Sequence, residues 1–343
     1  MKYDLTPTTF EVNEIFRPHL VKQGIYYYYT LEKKGISHKE AARRIGVKAW
    51  FCGIKDKNAS TTQWFCTTEQ VEETTQPDFV VKFKGMSSER IHVGKHKGNS
   101  FIVNVELSDE EQRAIKNFKS KEEFFCNYFG EQRFSEKTID ICKALEEKDF
   151  ETALKLFVTM RSKFDSDKSR AIKKIIEDKW GNWEKLLCQE EIKGTGKVVL
   201  FEYLLNNPTD FEGAFLHTEE TSTKILIKAA QAFRFNKKLN ELAKLKKPNN
   251  LETQIAGQNL NISASKAFPR FITIDPTDFE EKLRKSSFER RTFTFAEKFK
   301  YKRTEKNDYN LSFDLSRGAY ATVFLKYLDS WLKNKINKGK STK

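Results

Sequence analysis

The chain has few of the features that mark secreted or membrane-bound proteins. Its five cysteines form no Cys-x-x-Cys pair and leave an odd number, which predicts reduced thiols in place of a disulfide framework or a zinc site. The sequence shows no N-terminal apolar leader and no run of about 18 apolar residues, so neither a signal peptide nor a membrane span is predicted. These absences predict a cytoplasmic protein with no membrane partner.

Histidine is also scarce, with five in 343 residues. His92 and His96 lie four residues apart, but they fall on a strand-turn pattern, where this spacing does not form a metal pair. No cysteine or carboxylate lies between them in the sequence as a further ligand. The sequence therefore predicts no metal site.

Acidic residues are too few to balance the basic ones, and the formal net charge is +14. A strongly basic protein suits a polyanionic partner, although a lysine-rich proteome gives the same excess. Hydrophobic residues make up 38 % of the chain and aromatic residues 13 %, which is enough for a globular core. A chain of 343 residues is long enough for two domains, or for one domain with a large insertion.

The most informative stretch is a loop that follows a predicted buried strand at residues 47–52. Gly53 allows a turn, and Asp56 then stands between Lys55 and Lys57, which favour the ionised carboxylate. An ionised carboxylate can act as a nucleophile or a general base, but glycoside hydrolysis usually needs a second, protonated acid. No second acid lies in the loop, so the pattern favours chemistry without water, such as an isomerisation. A solvated turn is the alternative.

Four blocks of sequence, spread over most of the chain, share one family pattern. They are Gly53, Lys55, Asp56, Ala59, Thr61 and Gln63 in Gly-x-Lys-Asp-x-x-Ala-x-Thr-x-Gln; Asn127-Tyr128-Phe129-Gly130-Glu131-Gln132-Arg133-Phe134; Phe235-Asn236 with Leu239; and Leu315-Ser316-Arg317-Gly318-Ala319-Tyr320-Ala321-Thr322. In this order they resemble the TruD family of tRNA pseudouridine synthases, and the length and helical insertion resemble its archaeal members.

Two positions depart from the family pattern. Ser316 stands where the family usually has proline, which removes a fixed φ but no functional group. Near the N-terminus the family's Phe-x-Val-x-Glu is present at residues 10–14, but Asp4 occupies the place of a lysine three residues before Pro7. Lys2 is the nearest base and the candidate to replace that lysine.

The resemblance implies that the protein converts a uridine of tRNA, with uridine 13 as the leading target, to pseudouridine. Other tRNA or mRNA uridines are alternatives. The base is detached from the ribose, turned and rejoined, and nothing is added or lost, so neither cofactor nor metal is needed and no obligate protein partner is implied. The resemblance makes Asp56 the essential carboxylate. It would attack the sugar or base, or remove a ribose proton.

Further roles follow from the resemblance, each beside a structural alternative. Phe129 matches the aromatic residue that stacks on the flipped uracil, although the local pattern alone favours a core phenylalanine. Asn127 would orient the catalytic aspartate or the base, or form a turn. Asn236 is expected to buttress the site from its helix.

Polar and basic side chains complete the predicted site. Thr61 and Gln63 are two apart and share one face of an extended strand, where they hold the loop or contact the nucleotide. The stretch 284–303 interleaves basic residues with five aromatics, which suits RNA, although a strand with a solvated basic face explains it nearly as well. Candidate phosphate contacts, chosen by charge, are Lys55, Lys57 and Arg133.

The predicted fold is α/β (α+β), the pseudouridine synthase fold, with a mixed, mainly antiparallel sheet and an inserted, largely helical domain. Alternation predicts strands at 8–16, 25–30, 79–85, 90–106 with an interruption at 97–99, and 309–315. Helical spacing predicts helices at 37–45, 108–126, 225–245 and 319–334. The predicted segments are 1–135, the first part of the catalytic domain; 136–220, the mainly helical insertion; 221–250, a catalytic-domain helix with the Phe-Asn motif; 251–305, a smaller insertion or accessory segment; 306–335, the closing part of the catalytic domain; and 336–343, a basic, frayed tail.

Two other functions compete with the isomerase. A catalytically silent tRNA-binding protein or chaperone would keep the basic surface and Phe129 but should have lost the aspartate, and Asp56 is present. A hydrolase acting on nucleosides or RNA would need a paired acid or a metal cluster, and the sequence shows neither.

Overall fold

The computed structural model divides into two compact units. Unit 1 contains the described residues up to Asn127 and from Phe293 onward, and unit 2 contains those from Tyr128 to Thr292. The predicted domain boundaries stay predictions, and part of the predicted segment 251–305 lies outside the described residues. The structure describes residues 1–134, 136–161, 165–217, 220–245, 269–283 and 286–341.

The strands are short, and several alternate between buried and more exposed positions. In unit 1 they are β1 (Phe10–Ile15), β2 (Tyr26–Lys34), β3 (Trp50–Phe51), β4 (Ser60–Thr67), β5 (Thr74–Gln76), β6 (Phe79–Ser87), β7 (Gly98–Glu106) and β8 (Phe125–Cys126). Unit 2 contributes β9 (Phe271–Ile274) and β10 (Phe288–Arg291), which pair antiparallel. Unit 1 resumes with β11 (Phe293–Thr294), β12 (Glu297–Arg303) and β13 (Asp308–Ser316).

Over the described residues, unit 1 is built on a nine-stranded sheet in the order β12-β13-β7-β1-β4-β2-β6-β5, with β3 also paired to β4. Strands β1 and β4 run parallel, with Val12 opposite Thr61, and the other pairs in this sheet are antiparallel. The prediction of an α/β fold with a mixed, mainly antiparallel sheet is confirmed.

The helices are divided between the two units. None of the described helices is long and apolar enough to cross a membrane. Unit 1 has α1 (His38–Ile45), α2 (Asp109–Ile115) and, near the C-terminus, α11 (Ala321–Ser341); unit 2 has α3 (Glu136–Glu146), α4 (Phe150–Thr159), α5 (Asp167–Asp178), α6 (Trp183–Leu187), α7 (Val198–Asn206), α8 (Phe211–Leu216), α9 (Glu220–Leu245) and α10 (Asp278–Lys282).

Aromatic side chains fill the space between the sheet of unit 1 and α11. Phe313 on β13 lies 4.5 Å, ring centre to ring centre, from Phe324 on α11, and stacks on Phe101 of β7. Each fully buried phenylalanine contributes about 1.5–3 kcal/mol to folding. On β2, Tyr29 and Leu31 belong to a second buried cluster that includes residues of α1. These contacts make the sheet a rigid base for the loops at its strand ends.

Unit 2 has its own helical core. Buried side chains from α3 to α10 form one cluster, and its largest fully buried members are Phe201 and Phe215. Arg234 on α9 forms an ion pair at 2.8 Å with the buried carboxylate of Glu280 on α10. The largely helical character expected for the insertion is confirmed, and the Phe-Asn motif lies on α9.

Two predicted elements are shorter than expected. The helix predicted at 108–126 is limited to α2, which begins with a capping box between Ser108 and Glu111, while Phe125 and Cys126 form strand β8. Cys126 pairs with Phe293 on β11, a partner too far along the chain for local periodicity to reveal. The strand predicted at 90–106 begins only at Gly98, because the preceding residues form turns.

The C-terminal tail is more ordered than its composition suggested. Helix α11 continues through Ser341, whereas the sequence predicted a helix at 319–334 and a frayed tail after it. Lys340 on this last turn forms an ion pair with Glu110 on α2 at 3.1 Å, which ties the end of the helix to the same unit. The last two predicted tail residues, 342 and 343, lie outside the described part of the chain.

Candidate active site

Asp56 lies exposed in the short loop between β3 and β4. Its carboxylate oxygen Oδ1 accepts a hydrogen bond from the backbone N–H of Asn58 at 2.9 Å, which is an Asx turn. Ala59 is fully buried and fixes the end of the loop against the sheet. The side chains of Ile54 and Lys57 are exposed as well. The loop therefore presents a carboxylate, a cation and an apolar side chain to solvent.

A buried lysine that sequence reasoning missed holds the backbone of this loop. Lys33 on β2 is 1 % exposed, and its ammonium donates to the carbonyls of Asp56 and Ile36, both at 2.8 Å. Burial lowers the pKa of Lys33 to about 8; the negative charge of Asp56 opposes this shift, and the positive charge of Lys55 contributes to it. Strand alternation gives the signal that could have found it, because Lys33 shares the buried face of Leu31.

A second buried cation, on a residue of the loop itself, also anchors the loop to the sheet. The ammonium of Lys55 lies 2.6 Å from Oε1 of Glu14 on β1, and both side chains are buried. The other oxygen of Glu14 accepts the backbone N–H of Trp64 on β4 at 3.0 Å. The ammonium of Lys55 therefore points inward to a carboxylate, which disfavours the predicted phosphate contact, whereas Lys57 faces solvent.

Thr61 and Gln63 lie on the same buried face of β4. Thr61 stands opposite Lys33, and Gln63 stands opposite Leu31 in the sheet register. Within the described chain, neither the Thr61 hydroxyl nor the Gln63 amide has a hydrogen-bond partner. An unpaired buried polar group costs about 1–3 kcal/mol, so these side chains make the strand beneath the loop less stable than an apolar one would be.

The fold brings three metal-ligand types together beside the loop. One potential ligand atom from each of Glu14, Cys52 and His96 lies within 4.8 Å of the other two. Burial raises the pKa of the Cys52 thiol to about 12. Burial, followed by the nearby Lys55 charge, lowers the pKa of His96, so its imidazole is neutral at pH 7. The sequence showed no cysteine or carboxylate beside His96 because both are more than 40 positions away.

The other expected contributors in unit 1 lie on separate elements. Asn127 is buried and directly follows β8. Ser316, the departure from proline, ends β13, and its hydroxyl lies 3.3 Å from that of Thr294. Gly318 has φ +84°, which favours glycine in the turn before α11. Lys2 has an exposed side chain 3.5 Å from Glu106, so in this structure its ammonium is paired at the surface.

In unit 2, Phe129 and Asn236 are held together by two hydrogen bonds. The backbone N–H of Phe129 donates to Oδ1 of Asn236 at 2.9 Å, and Nδ2 of Asn236 donates to the carbonyl of Phe129 at 3.1 Å. The Phe129 ring is half-buried and packs edge-on against Phe235, with 5.5 Å between ring centres. The Phe-Asn pair of α9 therefore fixes both the backbone and the ring of Phe129.

Two arginines lie beside the Phe129 ring. The guanidinium carbon of Arg290 is 4.0 Å from the ring centre, and that of Arg133 is 5.8 Å away. Arg290 also donates to the carbonyl of Tyr128 at 3.1 Å. Arg290 was not singled out from the sequence, although it lies in the predicted basic and aromatic stretch. The part of that stretch at residues 284 and 285 lies outside the described residues.

Comparison with known proteins agrees with the geometry of the fold. Residues 5–268 match the family model described as tRNA pseudouridine synthase D (TruD). The crystal structure of a candidate tRNA pseudouridine synthase D (TruD) from Methanosarcina mazei is similar with a TM-score of 0.63 and 19 % identity, covering 96 % of this chain and 92 % of that one. At this identity the structural likeness supports the fold.

Curated relatives match over most of the chain. A probable tRNA pseudouridine synthase D 1 from Methanococcus maripaludis is 23 % identical, covering 95 % of this chain and 98 % of the relative. A probable tRNA pseudouridine synthase D 2 from Methanocaldococcus jannaschii is 24 % identical, covering 98 % of this chain and 94 % of the relative. The tRNA pseudouridine synthase D of Aquifex aeolicus is 28 % identical over 68 % of this chain and 64 % of its own. Because the family model covers well over half of its length, the chain belongs to the tRNA pseudouridine synthase D (TruD) family, and its enzyme class is that of the pseudouridine synthases, which are isomerases.

Proposed function

We propose that this protein isomerises a uridine of tRNA to pseudouridine in the cytoplasm, with uridine 13 as the target and Asp56 as the essential carboxylate. The observation that carries the proposal is the construction of the Asp56 loop. Its carboxylate is exposed, while two buried ammonium groups, on Lys33 and Lys55, hold the loop from inside. A rigid loop that presents a single carboxylate suits a reaction that needs accurate placement and no water.

The reaction breaks the bond between uracil N1 and ribose C1′ and forms one between uracil C5 and C1′. Asp56 acts either by adding to the substrate or by removing a ribose proton, and both routes need an ionised carboxylate. In either route the detached uracil stays bound while it turns, and a proton leaves C5 as N1 gains one. The chain must therefore supply a surface that holds the free base.

Phe129 is proposed as that surface. Stacking of a base on an aromatic ring contributes about 1–3 kcal/mol. The guanidinium carbon of Arg290 lies 4.0 Å from the ring centre, a cation–π contact that helps to fix the ring. Asn127 is proposed to orient the reacting groups, and Thr61 with Gln63 to support the loop from β4. Proposed phosphate contacts are Lys57 and Arg133, while Lys55 is assigned to positioning the loop.

We expect Asn236→Ala to reduce catalysis more than substrate binding. The change removes both hydrogen bonds that hold the Phe129 backbone, and a ring misplaced by about 1 Å costs on the order of 100-fold in rate. Single-turnover rates on tRNA should fall about 10–100-fold. The matched control is Asn240→Ala, one turn further along α9, where the amide oxygen accepts the Tyr128 hydroxyl. Equal losses in the two variants would contradict a specific role for Asn236.

The proposed target is tested with unmodified tRNA transcripts under single-turnover conditions. Carbodiimide labelling and primer extension map the product, and a transcript with cytidine at position 13 is the matched control. Pseudouridine should form at position 13 and be absent there in the control. Product at another uridine would overturn the choice of target while keeping the reaction. Tight binding without product in any tRNA would favour the silent RNA-binding protein.

A further inference from the structure

We propose that Glu14, Cys52 and His96 form a binding site for Zn²⁺ next to the Asp56 loop, and that occupancy of this site inhibits the enzyme. Metal binding itself does not depend on the proposed function, whereas the inhibition rests on it. Neither the family match nor the reaction calls for a metal at this place. The inference comes from three side chains that the fold brings together.

The geometry is close to that of a three-ligand metal centre. The three potential ligand atoms lie within 4.8 Å of one another, and in a tetrahedral zinc site they would be about 3.5 Å apart. Contraction of these separations by at most about 1.3 Å therefore closes the site. The carbonyl of Cys52 accepts the N–H of Gly94 at 2.7 Å, which fixes the turn that carries His96 beside the strand end.

The ligand types favour zinc over magnesium or calcium. A thiolate and an imidazole suit Zn²⁺, while Mg²⁺ and Ca²⁺ prefer oxygen ligands. Nδ1 of the His96 ring is buried and has no hydrogen-bond partner among the residues that the structure describes. A buried ring nitrogen without a partner is uncommon in folded proteins and is the kind of atom that a metal ion satisfies. Three protein ligands leave a fourth position for water, as in open zinc sites.

Lys55 connects this site to the loop. Its ammonium shares the carboxylate of Glu14 at 2.6 Å. A Cβ placed on Gly53 would lie 3.7 Å from the His96 ring and 3.9 Å from the Lys55 ammonium, so ring and ammonium are close neighbours. A divalent cation bound to Glu14 would compete with Lys55 and repel it. The residue next to Asp56 would then lose its internal anchor.

Metal binding is measured first on the intact protein, with Co²⁺ as a spectroscopic probe and Zn²⁺ by calorimetry. We expect a cobalt–thiolate absorption band that Zn²⁺ abolishes. The band should disappear in Cys52→Ser and His96→Asn, and Zn²⁺ affinity should fall by at least about tenfold in each. Matched controls are Cys66→Ser, a buried thiol on β4, and His92→Asn, the neighbouring histidine. Both controls should bind like the wild type, and circular dichroism checks that every variant is folded.

Activity is measured second, on tRNA with and without Zn²⁺. The wild type should lose pseudouridine formation at zinc concentrations that fill the site, and folded Cys52→Ser should resist the same concentrations. Absence of the cobalt band in the wild type would contradict the proposed zinc site. A band that survives in both Cys52→Ser and His96→Asn would also contradict it. Binding that leaves activity unchanged would overturn the inhibition alone. A protein that forms no pseudouridine even when no zinc is added would contradict the proposed function, and the binding result would still stand.

Discussion

Asp56→Asn should abolish pseudouridine formation while leaving tRNA binding close to that of the wild type. The amide keeps the size of the side chain and still accepts the N–H of Asn58 through its oxygen, so the loop should keep its shape. It cannot act as a nucleophile or as a base at neutral pH. Loss of an essential catalytic group costs on the order of 10⁴-fold or more in rate. Single-turnover assays with saturating enzyme separate this loss from any change in affinity.

The matched control for this change is Asp109→Asn, an exposed aspartate in the first turn of α2. It removes the same charge from the same unit and should leave the rate within about twofold, because exposed substitutions away from a site have small effects. If Asp56→Asn retained more than about a tenth of the wild-type rate, the essential role of the carboxylate would be lost. If Asp56→Asn lost tRNA binding and Asp109→Asn kept it, Asp56 would instead be assigned to substrate recognition.

The sequence could predict the features that depend on local pattern. Strand alternation and motif spacing placed the Asp56 loop after a strand, and the mixed sheet followed from the family resemblance. The cap of α1 also follows a local pattern, since Ser37 precedes the helix and its hydroxyl accepts the N–H of Glu40. Glu40 stands where the spacing allows a capping box with Ser37, but its carboxylate pairs with Arg43 and Arg44. Residue spacing alone does not determine which of several neighbouring groups a side chain such as Glu40 contacts.

The contacts that hold the loop could not be read from the sequence because they join distant positions. Glu14 and Lys55 are 41 residues apart, and Lys33 reaches Asp56 across 23. The hydrogen bonds between Phe129 and Asn236 span 107 residues. Charge alone therefore suggested Lys55 as a phosphate contact, whereas the parallel pairing of β1 with β4 places a carboxylate beside it. The tertiary partner decides the role of a lysine, and the sequence does not show that partner.

Breaking the ion pair between Glu14 and Lys55 should produce the largest loss of stability among these changes. Lys55→Met keeps the length of the side chain and removes its charge, which leaves the buried carboxylate of Glu14 without its cation. Removal of one partner of a buried pair costs about 3–5 kcal/mol in free energy of unfolding. The midpoint of urea unfolding should move to a lower urea concentration, while the slope of the free energy of unfolding against urea concentration stays unchanged. Lys57→Met, the exposed neighbour, is the matched control and should change stability by less than about 0.5 kcal/mol.

The double variant Glu14→Gln with Lys55→Met separates the cost of an unpaired charge from the cost of lost packing. The amide that Glu14→Gln introduces can still accept the N–H of Trp64 and carries no charge, so much of the lost stability should return. A double variant as unstable as Lys55→Met would show that the methionine itself disrupts the site. Restored stability without restored activity would show that the charged pair positions the Asp56 loop as well as stabilising it.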